Sequence, residues 1–168
     1  MTNLHSEQPD ETAEIEQLLD LAFGSDRNLR SSQKFREGTY PLAGLSFVAK
    51  DKNSIVGVIR FTSITIGTET ESVLLGPIAV HPRNEGKGIG KLLMKKGLSV
   101  AEKMNLKLVV AIGNPMFLSR FGFIPAPSNK IFFPMSIPPS KLMVLELVEG
   151  TIENTTLGTI ALPLNEDI

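Results

Sequence analysis

The chain contains no cysteine. Disulfides, cysteine-ligated zinc and a cysteinyl acyl-enzyme are therefore excluded. Only two histidines occur, His5 and His81, far apart in sequence, so no metal cluster is expected. There is a single tyrosine, Tyr40, which leaves few places for a phenolic acid. Neither sign of charge is in excess: the formal net charge is −1 over 168 residues. No global field then draws the protein to nucleic acid or to a membrane surface. No apolar run approaches the ~18 residues of a membrane span. The first residues are polar and acidic, unlike a signal peptide, so a cytoplasmic location is expected, with neither nucleic acid nor membrane as partner. Internal repeats and low-complexity tracts are also missing.

What is present suits one globular domain. Hydrophobic residues make up 42%, enough for a core, and the length leaves no room for two ordinary ones. A short strand is expected at Leu4 to Ser6, and a helix from Pro9 to Phe23 with Ile15, Leu18, Leu19 and Ala22 on one face. A short helix is expected over Ser31 to Arg36. Strands follow at Leu45 to Lys50, Ser54 to Ile66 and Ser72 to His81, with turns at Asp51 to Asn53 and Gly67 to Thr70. A helix from Gly88 to Met104 would bury Ile89, Leu93, Gly97, Val100 and Met104. Further elements are a strand at Lys107 to Ile112, a short helix at Pro115 to Phe121, a strand at Lys141 to Val148 and an edge strand at Thr155 to Leu162. Strands alternating with helices, hairpins first, give a mixed α/β sheet.

The most informative segment is Gly76-Pro77-Ile78-Ala79-Val80-His81-Pro82-Arg83-Asn84-Glu85-Gly86-Lys87-Gly88-Ile89-Gly90-Lys91. It reads as strand, turn, glycine-rich loop and helix start. Such a loop turns several N–H groups toward one anion. A nucleotide P-loop is excluded because Leu92 follows Lys91, where that motif needs Ser or Thr. A dinucleotide fingerprint is excluded because Lys91 stands at its third glycine. A nucleotide phosphotransferase thus lacks its lysine motif. What fits is Arg83-x-x-Gly86-x-Gly88. Pro77 cannot donate to a ladder and belongs at an edge or bulge.

That signature resembles the acetyl-coenzyme A loop of the GNAT superfamily of N-acetyltransferases. A second block, Gly113-Asn114-Pro115-Met116-Phe117-Leu118-Ser119-Arg120-Phe121-Gly122-Phe123, is similar to a Gly-Asp-Pro…Arg-Phe-Gly-Phe run of one bacterial subgroup. The two blocks lie about one helix and one strand apart. The resemblance implies a GNAT-like fold over residues 2–148, with residues 149–168 an extension of the same domain. Its sheet is mixed, mostly antiparallel, flanked by helices and splayed at a cofactor cleft. It implies acetyl-coenzyme A as cofactor, with the pyrophosphate on Arg83, Glu85, Gly86, Lys87, Gly88, Ile89, Gly90 and Lys91. The pantetheine arm would bond to Ile78, Ala79 and Val80 like an added strand, and Asn114 would cap the short helix or bond the arm's amides. The implied reaction is acetyl transfer to a primary amine by direct attack in a ternary complex. The acceptor is a small molecule or peptide, and a homodimer is frequent among such proteins.

Chemistry sets the rest of the search. An alkylammonium has a pKa of about 10.4 and must lose a proton before it attacks. The acids available near the cleft strand are Glu69 and Glu71, whose simpler reading is as solvated turn residues. His81 is more simply a turn residue facing solvent than a base. Many such enzymes protonate the leaving thiolate with a tyrosine four residues before the Gly of Gly-Phe. Leu118 stands at that position here, which leaves Ser119 or water. A thiol pKa of about 8.5 makes thiolate a tolerable leaving group unaided. The competing expectation is a non-catalytic module that binds or senses acyl-coenzyme A.

Overall fold

The computed structural model describes residues 1–154 and 158–162. Nine strands are found there: β1 (Thr2–Ser6), β2 (Ser46–Asp51), β3 (Ser54–Ile66), β4 (Glu69–Val80), β5 (Leu108–Ile112), β6 (Ile124–Pro125), β7 (Ile131–Phe132), β8 (Leu142–Glu146) and β9 (Gly158–Ala161). Five α-helices accompany them: α1 (Thr12–Phe23), α2 (Ser31–Arg36), α3 (Ile89–Lys103), α4 (Pro115–Ser119) and α5 (Thr151–Asn154). The fold is mixed α/β, and most strand pairs are antiparallel. The contacts gather into two compact units, one of Met1–Phe61 with Gly76–Ala101, the other of Thr62–Leu75 with the chain from Glu102 onward. Strands β3 and β4 run through both.

In the first unit β1 pairs with β2 and β2 with β3, both antiparallel. The β2–β3 turn places Lys52 at φ 55, and the register shifts between Ala49 and Lys50. Helix α1 presents Ile15, Leu18 and Leu19 at helical spacing, and these pack with Val48, Ile55, Val58 and Ala79. It stops where Gly24, at φ 92, donates its N–H to the Asp20 carbonyl. Helix α3 rides directly on β3 through two glycines. A Cβ on Gly57 would stand 2.9 Å from both Ile89 and Leu93, and one on Gly97 would stand 2.6 Å from the Phe61 ring. Close approach, not chain flexibility, is what these positions require.

In the second unit β4 pairs in parallel with β5 from Ser72 to Leu75, opposite Leu108 to Ala111. Strand β8 pairs antiparallel with β5 and with β6. The end of β3 takes β9 as an antiparallel neighbour, and β9 pairs in parallel with β7. Strand β5 is a continuous apolar run, Leu108 to Ile112, buried on both faces up to Ala111.

Several details differ from expectation, among them two boundaries and one buried face. The β3–β4 turn is the dipeptide Gly67-Thr68, with Gly67 at φ 55. Such a two-residue hairpin lets the ladder begin at Glu69, so Glu69 and Glu71 are strand residues and share a face. The buried stripe of α3 is Ile89, Leu93, Met94, Gly97 and Ala101. Met104 is 38% exposed, because a strict four-residue step carries the contact through Ala101 rather than Val100. Helix α4 ends at Ser119, after which Arg120, Phe121 and Gly122 donate three residues back, the tighter winding typical of a helix end. The expected last edge strand is β9; its first three expected residues, 155–157, lie outside the described residues.

Candidate active site

The loop between β4 and α3 is built to leave donors open. His81 starts it: its N–H bonds to the Val56 carbonyl at 2.8 Å, and its Nδ1 accepts from the Arg83 N–H at 3.1 Å. A 3-10 turn, Pro82–Asn84, follows. Gly86 and Gly88 then take φ 76 and 81, with nothing within 4 Å of where their Cβ atoms would stand. A side chain is disfavoured here by backbone conformation, not by crowding. The first bond of α3 is from the Leu92 N–H to the Gly88 carbonyl, 3.0 Å. None of the N–H groups from Gly86 to Lys91 donates to another described residue. Six adjacent donors therefore stand at the positive end of a fifteen-residue helix. Arg83, Lys87 and Lys91 are exposed around them, with Glu85 the one acid among them. Buried Ile89 fixes the helix start to Gly57 of β3.

Just upstream, β4 carries Ile78, Ala79 and Val80. Ala79 is buried in the α1 core, while Ile78 and Val80 are half-buried. The parallel ladder with β5 stops at Leu75, one residue before the cis Gly76–Pro77 bond. The division between the two units falls at the same place.

The other predicted residues are placed as follows. In the second unit, Glu71 pairs with Lys107 at 2.8 Å on the surface, and the Glu71 N–H donates to Glu69 Oε1 at 2.9 Å. The hydrogen bond from Lys107 to the Glu71 carboxylate, and then the Glu71 charge, raise the Lys107 pKa. Asn114 caps α4: its Oδ1 accepts from the Met116 N–H at 2.9 Å. Leu118 is 3% exposed, and Ser119 donates its hydroxyl to the Met116 carbonyl at 3.1 Å. Phe117 and Phe121 meet edge to face at 5.2 Å. In the first unit His5 contacts Glu11 at 2.8 Å, and Lys50 reaches the same carboxylate oxygen at 2.8 Å. Burial works to raise the Glu11 pKa, but bonds from Lys50, the Gln8 N–H and His5 outweigh it and hold it at about 2. Among the described residues, no group of three acids or histidines could hold a metal ion.

A set of arginines escaped sequence reasoning. Arg60 of β3 donates to both oxygens of Glu7, at 2.7 and 3.0 Å, and to Glu16 at 3.2 Å. Arg27 bonds to Asp20 at 2.8 Å and also to Glu16. Arg36, in the last turn of α2, lies against Gly76, its Nη1 3.1 Å from where a Cβ would be. Burial, then the charges of Arg60 and Arg27, push its pKa down to about 10. No local signal marks these residues, because their partners lie up to 53 residues away.

The sequence profile described as the Acetyltransferase (GNAT) family matches residues 12–123. The chain is 29% identical over 118 residues to the uncharacterised N-acetyltransferase YhbS of Escherichia coli K12, covering 70% of each. It is 28% identical over 129 residues to the uncharacterised N-acetyltransferase YjhQ of the same strain, covering 75% of this chain and 71% of YjhQ. The crystal structure of Escherichia coli YhbS in complex with CoA superposes with a TM-score of 0.82 at 25% identity, over 96% of this chain and 89% of that one. A GNAT acetyltransferase of Brucella melitensis in complex with acetyl-CoA gives 0.73 at 25% identity, over 97% and 96%. The profile match spans most of the chain and takes in both β4 and the uncapped start of α3, and the protein belongs to the GNAT family of acetyltransferases.

Proposed function

We propose that the protein transfers an acetyl group from acetyl-coenzyme A to a primary amine by direct attack in a ternary complex. The observation that carries this reading is the row of six N–H donors at the start of α3 that find no acceptor among the described residues. A diphosphate supplies the negative charge and the acceptor oxygens that such an end lacks. Arg83, Lys87 and Lys91 add positive charge, and Glu85 to Lys91 form the grip. The peptide groups of Ile78, Ala79 and Val80, beyond the end of the β5 ladder, bond the pantetheine arm as a strand would. The Ile78 N–H polarises the thioester carbonyl. That YhbS was crystallised with CoA and the Brucella protein with acetyl-CoA supports the choice of cofactor.

In the reaction the amine nitrogen bonds to the acetyl carbon and the carbon–sulfur bond breaks. The ammonium proton is lost before attack; as the carbon–sulfur bond breaks, the attacking nitrogen gives up a second proton, which water relays to the leaving thiolate. Lys107 engages Glu71 Oε2 and the Glu71 N–H engages Glu69 Oε1, so a base role at either falls to its other oxygen or displaces that partner. Substituting either by Gln tests this: a base is worth about 10²–10⁴-fold in rate, so a loss below threefold assigns the proton to water. Ser119 is tested in the same way as a donor to the thiolate.

Leu118 favours a second reading. A buried leucine where the resemblance implies a tyrosine suits a module that binds acyl-coenzyme A without turning it over. Calorimetry with coenzyme A, followed by thiol release from acetyl-coenzyme A across an amine panel, separates the readings. One-to-one binding with amine-dependent release supports transfer. Binding without release supports the module, and no heat at all removes both.

A further inference from the structure

Arg36 is a cation for which the described residues supply no counter-charge. Among the described residues it forms no ion pair, while Arg60 and Arg27 take up Glu7, Glu16 and Asp20. The side chain is partly buried, and its Nη1, Cζ and Nη2 lie 3.1, 3.8 and 3.9 Å from the vacant Cβ position of Gly76. The guanidinium is thus laid over a bare stretch of strand, and the neighbouring charges that act on it are of its own sign. Such a placement costs stability unless a partner arrives. Gly76 lies two residues before Ile78, so the arginine stands beside the segment assigned above to the pantetheine arm. The coenzyme's own diphosphate is accounted for by residues 85–91. The missing anion therefore belongs to the other substrate. A planar fork of N–H donors suits a carboxylate, which it binds through two parallel bonds.

We propose that Arg36 receives a carboxylate of the acceptor, so that the amine substrate is an amino acid or a related amino carboxylate. This rests on the transferase reading of the same unit. Arg36 is a specificity residue here; it does not touch the reacting atoms.

The test uses matched amines: glycine against methylamine, β-alanine against ethylamine, lysine against cadaverine, with aminomethylphosphonate as the phosphonate arm. The wild type is expected to prefer the carboxylated member at least tenfold in kcat/KM, and to prefer glycine over the phosphonate. Arg36→Gln erases the preference, chiefly through KM, with coenzyme A affinity and rates for the plain amines unchanged. Arg36→Lys, a point charge, recovers part of it. Because Arg36 makes no ion pair, Arg36→Gln is also expected to melt no lower than the wild type. Equal rates for the two members of each pair, an equal loss on both in Arg36→Gln, or a melting point several degrees lower overturns the proposal. If coenzyme A binds and no amine reacts, the transferase reading fails instead. The arginine is then judged by titrating N-acetylglycine into wild type and Arg36→Gln by NMR, where shifts absent from both overturn the assignment.

Discussion

Two helices of this protein begin in opposite ways. Helix α4 starts with Asn114, whose side chain takes the Met116 N–H, followed by Pro115, which has no N–H to satisfy. Helix α3 starts with Gly88, which has no side chain to offer, and leaves the N–H groups of residues 86–91 without an acceptor among the described residues. A sequence that caps one helix in this way shows that covering an end is within its means. With glycine at its cap, the open end forgoes about a few tenths of a kcal/mol of capping, which is explicable if the end has another occupant. The two arginines repeat the lesson: Arg60 is saturated by Glu7 and Glu16, and Arg36 is left bare. In both comparisons the unsatisfied member is where we propose that a ligand's charge belongs.

The sharpest way to break the comparison is to fill the open end. Gly88→Glu puts a carboxylate where the diphosphate is proposed to sit and forces a side chain onto φ 81. Coenzyme A affinity is expected to fall more than 100-fold by calorimetry, with Gly88→Ala as the control for backbone strain alone. If a folded Gly88→Glu binds as the wild type does, the open donors are not the anion site. The seat of α3 comes next in size. Gly97→Ala drives a methyl to within 2.6 Å of the Phe61 ring, and overpacking of this kind costs about 1–3 kcal/mol. The melting point should drop by roughly 2–4 °C for each kcal/mol, while residual affinity for coenzyme A reports how firmly the seat positions the donors. An unchanged melting point would mean that helix and strand can part without cost.

These features differ in how far the sequence revealed them. Gly86 and Gly88 carry their meaning locally, since alternating glycines before an apolar-periodic run specify a loop and a helix start together. The short helix Ser31–Arg36 and the strand Ser54–Ile66 were readable for the same reason, from turn residues and periodicity within one window. The start of β4 was not, because a two-residue turn at Gly67-Thr68 adds Glu69, Thr70 and Glu71 to the strand, a stretch whose composition alone suggests a loop. Arg36 was invisible. Its significance lies in Gly76, forty residues on, and in the carboxylates that other arginines occupy. Pairing that depends on tertiary neighbours leaves no trace in local spacing.

Acid sensitivity sharpens the comparison from the saturated side. Glu11 is 6% exposed, bonded to His5, Lys50 and the Gln8 N–H, with its pKa held near 2 against an ordinary value near 4.5. A depressed folded-state pKa adds stability that is complete above the ordinary value and lost as pH falls toward the folded one. Unfolding free energy should therefore decline between about pH 4.5 and 2, and Glu11→Gln should flatten that limb while lowering stability at neutral pH. A decline just as steep in Glu11→Gln would assign acid sensitivity to other carboxylates, Glu7 with its bonds from Arg60 and Ser46 first among them.

The smallest expected effect belongs to the closed helix end, and it separates two roles proposed for one residue. Asn114→Ala removes the acceptor for the Met116 N–H and should cost about 1 kcal/mol in a denaturant titration. Asn114→Asp keeps an acceptor and places a negative charge at a helix N-terminus, so stability should be retained. The aspartate differs from asparagine in having no N–H donors at all. If Asn114 only caps, Asp binds coenzyme A as well as the wild type does. If Asn114 also donates to the amide carbonyls of the arm, Asp keeps the stability and loses affinity, and the two readouts part. Loss of both in Asp would contradict each role, since the substitution preserves the bond that the structure contains.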